Sequence, residues 1–124
     1  MPVAGGTWSY QAIAGGSQAR FVDTTGTGRL AIQCNKATRR VTISRTSTTA
    51  ANAMQVWTDS ATRALAARYE ANGYRISADL AANDRLLDAI AFSRGRFAII
   101  VAGMETLVVP AWPEPARVVE DCRI

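Results

Sequence analysis

Few side chains in this sequence could do acid–base or nucleophilic chemistry. It contains no histidine, which removes the commonest general base and the commonest metal ligand. A serine nucleophile would depend on Lys36, which lies in a polar segment typical of a turn. The carboxylate pairs Asp84 with Asp88 and Glu120 with Asp121 could serve glycosidase-type hydrolysis. Helix capping and salt bridging explain the same pairs, so we predict no catalytic residue.

Aromatic and arginine side chains among small polar residues are typical of contact surfaces. Three segments have this character: residues 57–63, 93–97 and 112–115. From these segments we predict a contact surface for a partner or small ligand, formed by Trp57, Arg63, Arg94, Arg96 and Trp112. Packing of the rings and capping of helix ends by the arginines are the alternatives.

The two cysteines, Cys34 and Cys122, allow a single pairing. Leu30, Ile32 and Cys34 alternate as the inward face of a strand, and Cys122 shares a helical stripe with Val118. Both sulfur atoms are expected to face the core, as a disulfide or as two buried free thiols. We predict the disulfide, which belongs to an oxidising compartment. The spacing fits neither a zinc site nor a redox pair, and we predict no metal and no cofactor.

Length and composition are those of one globular domain, with 124 residues of which 48% are hydrophobic. The net charge is +4, but the cations are spread along the chain without interleaved aromatics, and we predict no nucleic-acid binding. No apolar run is long enough for a membrane-spanning helix. Residues 1–6 lack the parts of a signal peptide and are interpreted as a flexible tether remnant before a single β-rich domain over residues 7–124.

The elements that must position the candidate residues are mostly strands. Asn72–Gly73 is the strongest hairpin signal, between strands predicted at residues 64–69 and 74–80. In the second of these strands the apolar residues Tyr74, Ile76, Ala78 and Leu80 alternate with polar ones, which predicts that they share the inward face. The apolar runs 96–102 and 106–109 predict strands buried on both faces. The pattern favours an α+β domain of about eight, mostly antiparallel strands, as a bent sheet or a small sandwich or barrel.

Two short helices complete the predicted domain. Asn83 is expected to cap a first helix of about ten residues, which Gly95 would end. Pro115 is expected in the first turn of a final helix over residues 116–122, which the disulfide would attach to the third strand.

A resemblance to known proteins is carried mainly by the carboxyl-terminal half. Its segments are LLDAIAFSRGRF at residues 86–97, LVVPAWPE at 107–114 and RVVEDCR at 117–123, with weaker likeness at 6–10, 30–34 and 57–63. They resemble a group of small alphaproteobacterial proteins of the lipoprotein type. More distantly, an early tryptophan, a strand cysteine and a cysteine in the last helix resemble the invasion-associated locus B envelope proteins. The resemblance implies export, with the signal peptide removed, to the periplasm or to the outer membrane through a lipid anchor upstream of Met1. It implies no catalytic residue.

These observations favour an exported envelope domain with a non-enzymatic binding or structural role, whose partner is an envelope protein or a small ligand. A small exported protease inhibitor is the alternative, since a disulfide-bonded β-rich domain is a suitable scaffold. A hydrolase that uses carboxylates alone is the third hypothesis.

Overall fold

The computed structural model describes residues 2–124, which form two antiparallel sheets and two helices. The strands are β1 (Gly6–Ile13), β2 (Gly16–Asp23), β3 (Gly28–Asn35), β4 (Arg40–Thr46), β5 (Ala53–Trp57), β6 (Thr62–Ala66), β7 (Arg68–Glu70), β8 (Arg75–Ala81), β9 (Arg96–Ile100) and β10 (Leu107–Pro110), and the helices are α1 (Arg85–Ala91) and α2 (Pro113–Asp121). One sheet has six strands in the order β1-β2-β3-β4-β8-β7, and the other has four in the order β10-β9-β5-β6. The predicted α+β, mostly antiparallel fold is confirmed as a sandwich that does not close into a barrel.

The six-stranded sheet follows the two-residue period of its sequence. Ile76, Ala78 and Leu80 of β8 are buried, as the alternation predicts. The opposite face is polar, with a row that crosses four paired strands and consists of Gln18, Gln33, Thr42 and Asp79. This sheet therefore has one face in the core and one face in water.

Residues 64–69, predicted as one strand, belong to two strands in different sheets. β6 pairs with β5 in the four-stranded sheet, whereas β7 pairs with β8 in the six-stranded sheet. Ala67 lies between them and donates its N–H to the carbonyl of Asn52 at 2.9 Å. The structure has ten strands within residues 2–124, compared with the predicted eight or so, and this division accounts for one of the additional strands.

The hairpin between β7 and β8 is confirmed, but its turn is longer than the predicted Asn72–Gly73. A 3₁₀ turn over Ala71–Gly73 is followed by Tyr74 in the left-handed conformation, with φ 50° and ψ 51°. The Tyr74 carbonyl accepts the N–H of Ser47 at 2.7 Å, which holds this uncommon geometry. The alternation predicts Tyr74 as the first inward residue of this strand. This is wrong, because the Tyr74 side chain is 61% exposed.

Aromatic rings join the two sheets in the core. The Trp8 ring is buried between Phe21 of the same sheet and Phe97 of the other, with ring centroids 5.5 and 6.2 Å away. Its indole Nε1 donates to the carbonyl of Pro110 at 2.8 Å. The buried indole thus has both apolar neighbours and a partner for its polar atom.

A buried arginine also crosses between the sheets. Arg45 is 2% exposed because its side chain points inward from β4, where it is paired with Ile76. Its Nη1 donates to the carbonyl of Ile99 at 2.8 Å, and its Nη2 donates to the carbonyl of Glu105. Burial lowers the pKa of Arg45. Arg45 therefore contributes no charge to the surface.

The first helix begins one residue later than predicted. Asp84, not Asn83, is the N-cap: its backbone is extended and its Oδ1 accepts the N–H of Leu86 at 2.9 Å. The helix has seven residues and ends at Ala91, so it is shorter than the ten or so that the sequence predicts. Gly95 lies beyond the helix, in the left-handed turn that leads into β9.

The final helix begins three residues earlier than predicted, at Pro113, with Trp112 as its N-cap. Pro113 lacks an N–H and has a fixed φ, so it suits the first turn, where no intrahelical partner is needed. The sequence pattern instead predicts Pro115 in this first turn. The buried side chains of Val118 and Val119 pack this helix against the core.

Cys34 of β3 and Cys122, directly after α2, form the predicted disulfide, with an S–S distance of 2.10 Å. Each cysteine is only 1% exposed. Both sulfur atoms reach the core as the strand alternation and the helical stripe predict. The bond indicates an oxidising, exported compartment.

Near the amino terminus, the N–H of Ala4 donates to the carbonyl of Val108 at 2.8 Å. Gly6 already pairs with Asp23 in the first hairpin, and a Cβ at Gly6 would lie 2.3 Å from the carbonyl oxygen of Val22. The division into a tether over residues 1–6 and a domain from residue 7 stays a prediction.

Candidate functional site

The outer face of the four-stranded sheet carries a groove of about 460 Å³. Its floor is formed where three strands pair, because Trp57 of β5 lies beside Ala98 of β9, and Ala98 lies beside Val108 of β10. Ile100 points outward two residues further along β9 and extends this apolar floor. We call it the Trp57 groove.

Two arginines line one end of the Trp57 groove. Arg94 precedes β9 and Arg96 is its first residue, so neither lies in the middle of the apolar floor. Asp59, in the β5–β6 connection, lines the same groove, which leaves one excess positive charge among the three side chains. The site therefore combines an apolar surface with a cationic end.

A hydrogen-bond network fixes the loops at the cationic end. The buried hydroxyl of Ser93 donates to the carbonyl of Arg96 at 2.6 Å and accepts the N–H of Asp59 at 3.2 Å. The Asp59 carboxylate accepts the N–H of Arg94 at 3.1 Å. The backbone segment that carries both arginines is thus hydrogen-bonded to the β5–β6 connection.

The predicted contact surface is only partly assembled. Trp57, Arg94 and Arg96 line one groove. Arg63 instead forms an ion pair with Asp84 at 2.6 Å, and Trp112 caps α2 with 40% of its area exposed. Arg63 and Trp112 do not line the Trp57 groove, and their part in a contact surface stays a prediction.

The sequence does not identify Ala98, Ile100 and Val108 as site residues, because apolar strand residues are typical of a core. Residues 97–99 and 107–109 are buried on both faces, whereas Arg96 and Ala102 are exposed, so the predicted burial holds for only part of each run. Ala98, Ile100 and Val108, whose side chains point outward, form the floor of the groove and do not lie beneath another layer of the fold. The exposed Trp57, beside Ala98 in the ladder, is the signal that could reveal them.

The first carboxylate pair has structural partners. Asp84 caps α1 and binds Arg63, while Asp88 binds Arg123 at 2.6 Å. The hydrogen bond from Arg63 holds the pKa of Asp84 below its ordinary value, against the opposing effect of burial and with a further bond from the N–H of Leu86. Such a carboxyl stays ionised and is a poor proton donor at neutral pH.

In the second pair, Asp121 has a structural partner. The hydroxyl of Tyr10 donates to Asp121 and lowers its pKa, more than burial raises it. The Arg117 guanidinium lies 3.9 Å from the centre of the Tyr10 ring, a cation–π contact that joins α2 to β1. This cluster attaches the helix to the sheet.

Replacing Asp84 with Asn is expected to make the free energy of unfolding less dependent on pH in the acid range. The Asn side chain retains the cap, so at pH 7 the variant should lose only the ion pair, on the order of 0.5 kcal/mol for a pair with this much exposure. Because the folded pKa of Asp84 is depressed, its contribution is present above the ordinary value of 3.8 and is lost as pH falls through the lower folded value. Urea unfolding from pH 7 to pH 2 should show the two proteins converging below pH 3.8. A constant difference across this range would contradict the assignment.

Comparison of the chain with protein-family models, curated proteins and solved structures found no match. Within residues 2–124, no three or more Cys, Asp or Glu side chains come together in a group that could hold a metal ion. Over the same residues, neither helix is long and apolar enough to cross a membrane.

Proposed function

We propose that the protein is an exported domain of the cell envelope that acts by binding, without catalysis, through the Trp57 groove. The observation that carries this proposal is the groove itself: a half-exposed Trp57 above an apolar floor, with Arg94 and Arg96 at one end. An apolar concavity with few polar groups at its margin is the common form of a ligand site.

The disulfide supports export, and the finer location is part of the proposal. A loop closed between Cys34 and Cys122 survives where thiols are oxidised, as in the bacterial periplasm. We propose the periplasm or the periplasmic side of a membrane, with lipid anchoring as the alternative form. In the cells that make the protein, it should occur in the envelope fraction with thiols that react only after reduction. A cytoplasmic pool with free thiols would contradict this location.

The state of the carboxylates supports binding over hydrolysis. Three of the four candidate carboxylates are held by Arg63, Arg123 and Tyr10. Asp84 and Asp121 also have depressed pKa values, the opposite of what a general acid requires. The Trp57 groove does not contain either pair.

Affinity capture with matched variants tests the proposal. Wild type, Trp57→Ala, Arg94→Gln and Arg20→Gln are immobilised and exposed to detergent-free envelope extract at two salt concentrations. Arg20 is a matched control, since it is exposed, lies on the outer face of the other sheet and forms no ion pair within residues 2–124.

The same component should be retained by wild type and Arg20→Gln and reduced about tenfold by Trp57→Ala and Arg94→Gln, the usual effect of removing a central contact. Retention of nothing, or equal retention by all four proteins, would overturn binding of an envelope-extract component by the Trp57 groove.

A further inference from the structure

We propose that the Trp57 groove binds a single-chain carboxylate amphiphile, such as a medium-chain fatty acid, with the carboxylate at the arginines and the chain along β9. This inference rests on the binding function proposed above and specifies its ligand. Three features carry it: the placement of charge at one end, the apolar floor, and the size of the groove.

The cationic end fits a carboxylate head group. Arg94 is exposed and forms no ion pair within the described chain, and Arg96 follows two residues later. Guanidinium groups bind carboxylates through paired, charge-assisted hydrogen bonds. The Asp59 carboxylate is directed into the loop by the N–H of Arg94, so its charge partly offsets that of the arginines. The guanidinium of Arg94, which forms no ion pair within residues 2–124, therefore favours a singly charged anion.

The apolar floor fits an unbranched chain. Arg96, Ala98 and Ile100 point outward in turn along β9, so polarity decreases in one direction over roughly 13 Å of strand. Val108 and Trp57 lie on either side of Ala98 in the ladder and flank this path. An acyl chain laid along it would cover the exposed part of the Trp57 ring.

An extended peptide fits the same surface poorly. Peptides that bind sheets add to a free edge, where backbone groups are available. The Trp57 groove lies on the face of the sheet, where β9 is already paired with β5 and β10. Peptide N–H and C=O groups laid on this floor would lose water without gaining partners, which is costly. A hydrocarbon chain has no such groups.

The size of the groove limits the ligand to one chain. A volume of about 460 Å³ lies at the small end of ligand pockets. The proposal therefore commits to a free, monomeric fatty acid and not to a lipid bilayer. Anionic phospholipid vesicles are tested alongside the free fatty acids, to distinguish binding of a single fatty acid from binding to a lipid bilayer.

Calorimetric titration of the oxidised full chain with butyrate, hexanoate, octanoate, decanoate and dodecanoate, each below its micelle concentration, tests the proposal. Affinity should rise roughly three- to fourfold per added methylene, as expected for burial of one CH₂, until the chain passes Ile100. Decanol and decyltrimethylammonium are the matched ligands that keep the chain and remove or invert the charge. Both should bind at least tenfold more weakly than decanoate.

Variants locate the binding. Trp57→Ala and Arg94→Gln should each weaken decanoate about tenfold, and Arg20→Gln should leave it unchanged. Both groove side chains are exposed, and thermal melts of the variants confirm that they fold. Amide NMR shifts on decanoate addition should concentrate at Ala98, Ile100 and Val108.

Three results would overturn the ligand class: no dependence on chain length, equal binding of decyltrimethylammonium, or binding only to vesicles. If envelope capture still depends on Trp57 and Arg94 in that case, the binding function stands and only the fatty acid is wrong. If both experiments fail, the proposed function fails with it.

Discussion

Removal of the disulfide is expected to lower the melting temperature by about 10 to 20 °C. The bond closes a loop with a sequence separation of 88 residues, and in the chain-entropy model such a loop stabilises the folded state by about 4 to 5 kcal/mol. The double variant Cys34→Ala/Cys122→Ala removes it without burying a new hydroxyl, which matters because both positions are 1% exposed. Circular dichroism melts of oxidised wild type and variant measure the difference.

Reductant supplies the control for this experiment. It should lower the melting temperature of wild type toward that of the double variant and leave the double variant unchanged. Contacts beside the bond remain in both proteins, since Arg123 still donates to the carbonyl of Ala82 at 2.7 Å and to Asp88. Equal melting of wild type with and without reductant, with thiol release shown by alkylation, would refute the stabilising role.

The pairing of the cysteines could be predicted because it depends on local periodicity. Cys34 follows Leu30 and Ile32 on one face of a strand, and that face must be the core face if the leucine and isoleucine are to be buried. The same reasoning predicts Ile76, Ala78 and Leu80 as core residues. In each case a two-residue spacing determines which side of a sheet a side chain takes.

Features that depend on contacts between distant segments could not be predicted in this way. Alternation is unchanged when a strand passes between sheets, so the crossing at Ala67 leaves no mark in the sequence. Arg45 has a charge that predicts exposure, yet carbonyls of a distant strand and loop accept its hydrogen bonds inside the core. The free-energy cost of burying a charge is offset only when such hydrogen-bond partners are present. The partners of Arg45 are distant in sequence and are brought close only by the tertiary structure.

The candidate site shows both situations. Residue type alone predicts Trp57, Arg94 and Arg96 as candidate contact residues, but only the pairing of β5 with β9 places them in one groove. Arg63 is also an arginine among small polar residues, but it is paired with the buried Val56 and therefore lies on the face of the sheet opposite Trp57, where it binds Asp84. The groove floor stays hidden in the sequence, since Ala98 and Val108 are chemically indistinguishable from core residues.

Trp8→Ala is expected to lower the free energy of unfolding by about 3 to 5 kcal/mol, the usual cost of truncating a large buried aromatic. The ring fills the space between Phe21 and Phe97, so its removal leaves a cavity where the two sheets meet. Its loss also leaves the Pro110 carbonyl without the indole N–H. Trp8→Phe should cost less, because it keeps most of the apolar volume and loses chiefly the hydrogen bond, worth about 1 kcal/mol.

Trp57→Ala is the matched control for this substitution, because the same side chain is removed from a position that is 51% exposed. It should cost about 1 kcal/mol, since only part of the ring is withdrawn from water in the free protein. Urea unfolding followed by circular dichroism, which does not depend on tryptophan emission, compares the variants. If Trp8→Ala were no more destabilising than Trp57→Ala, the aromatic contact between the sheets would not hold the sandwich together. The expected opposite ranking in decanoate binding, where Trp57→Ala has the larger effect, would separate the residue that supports the fold from the residue that supports the site.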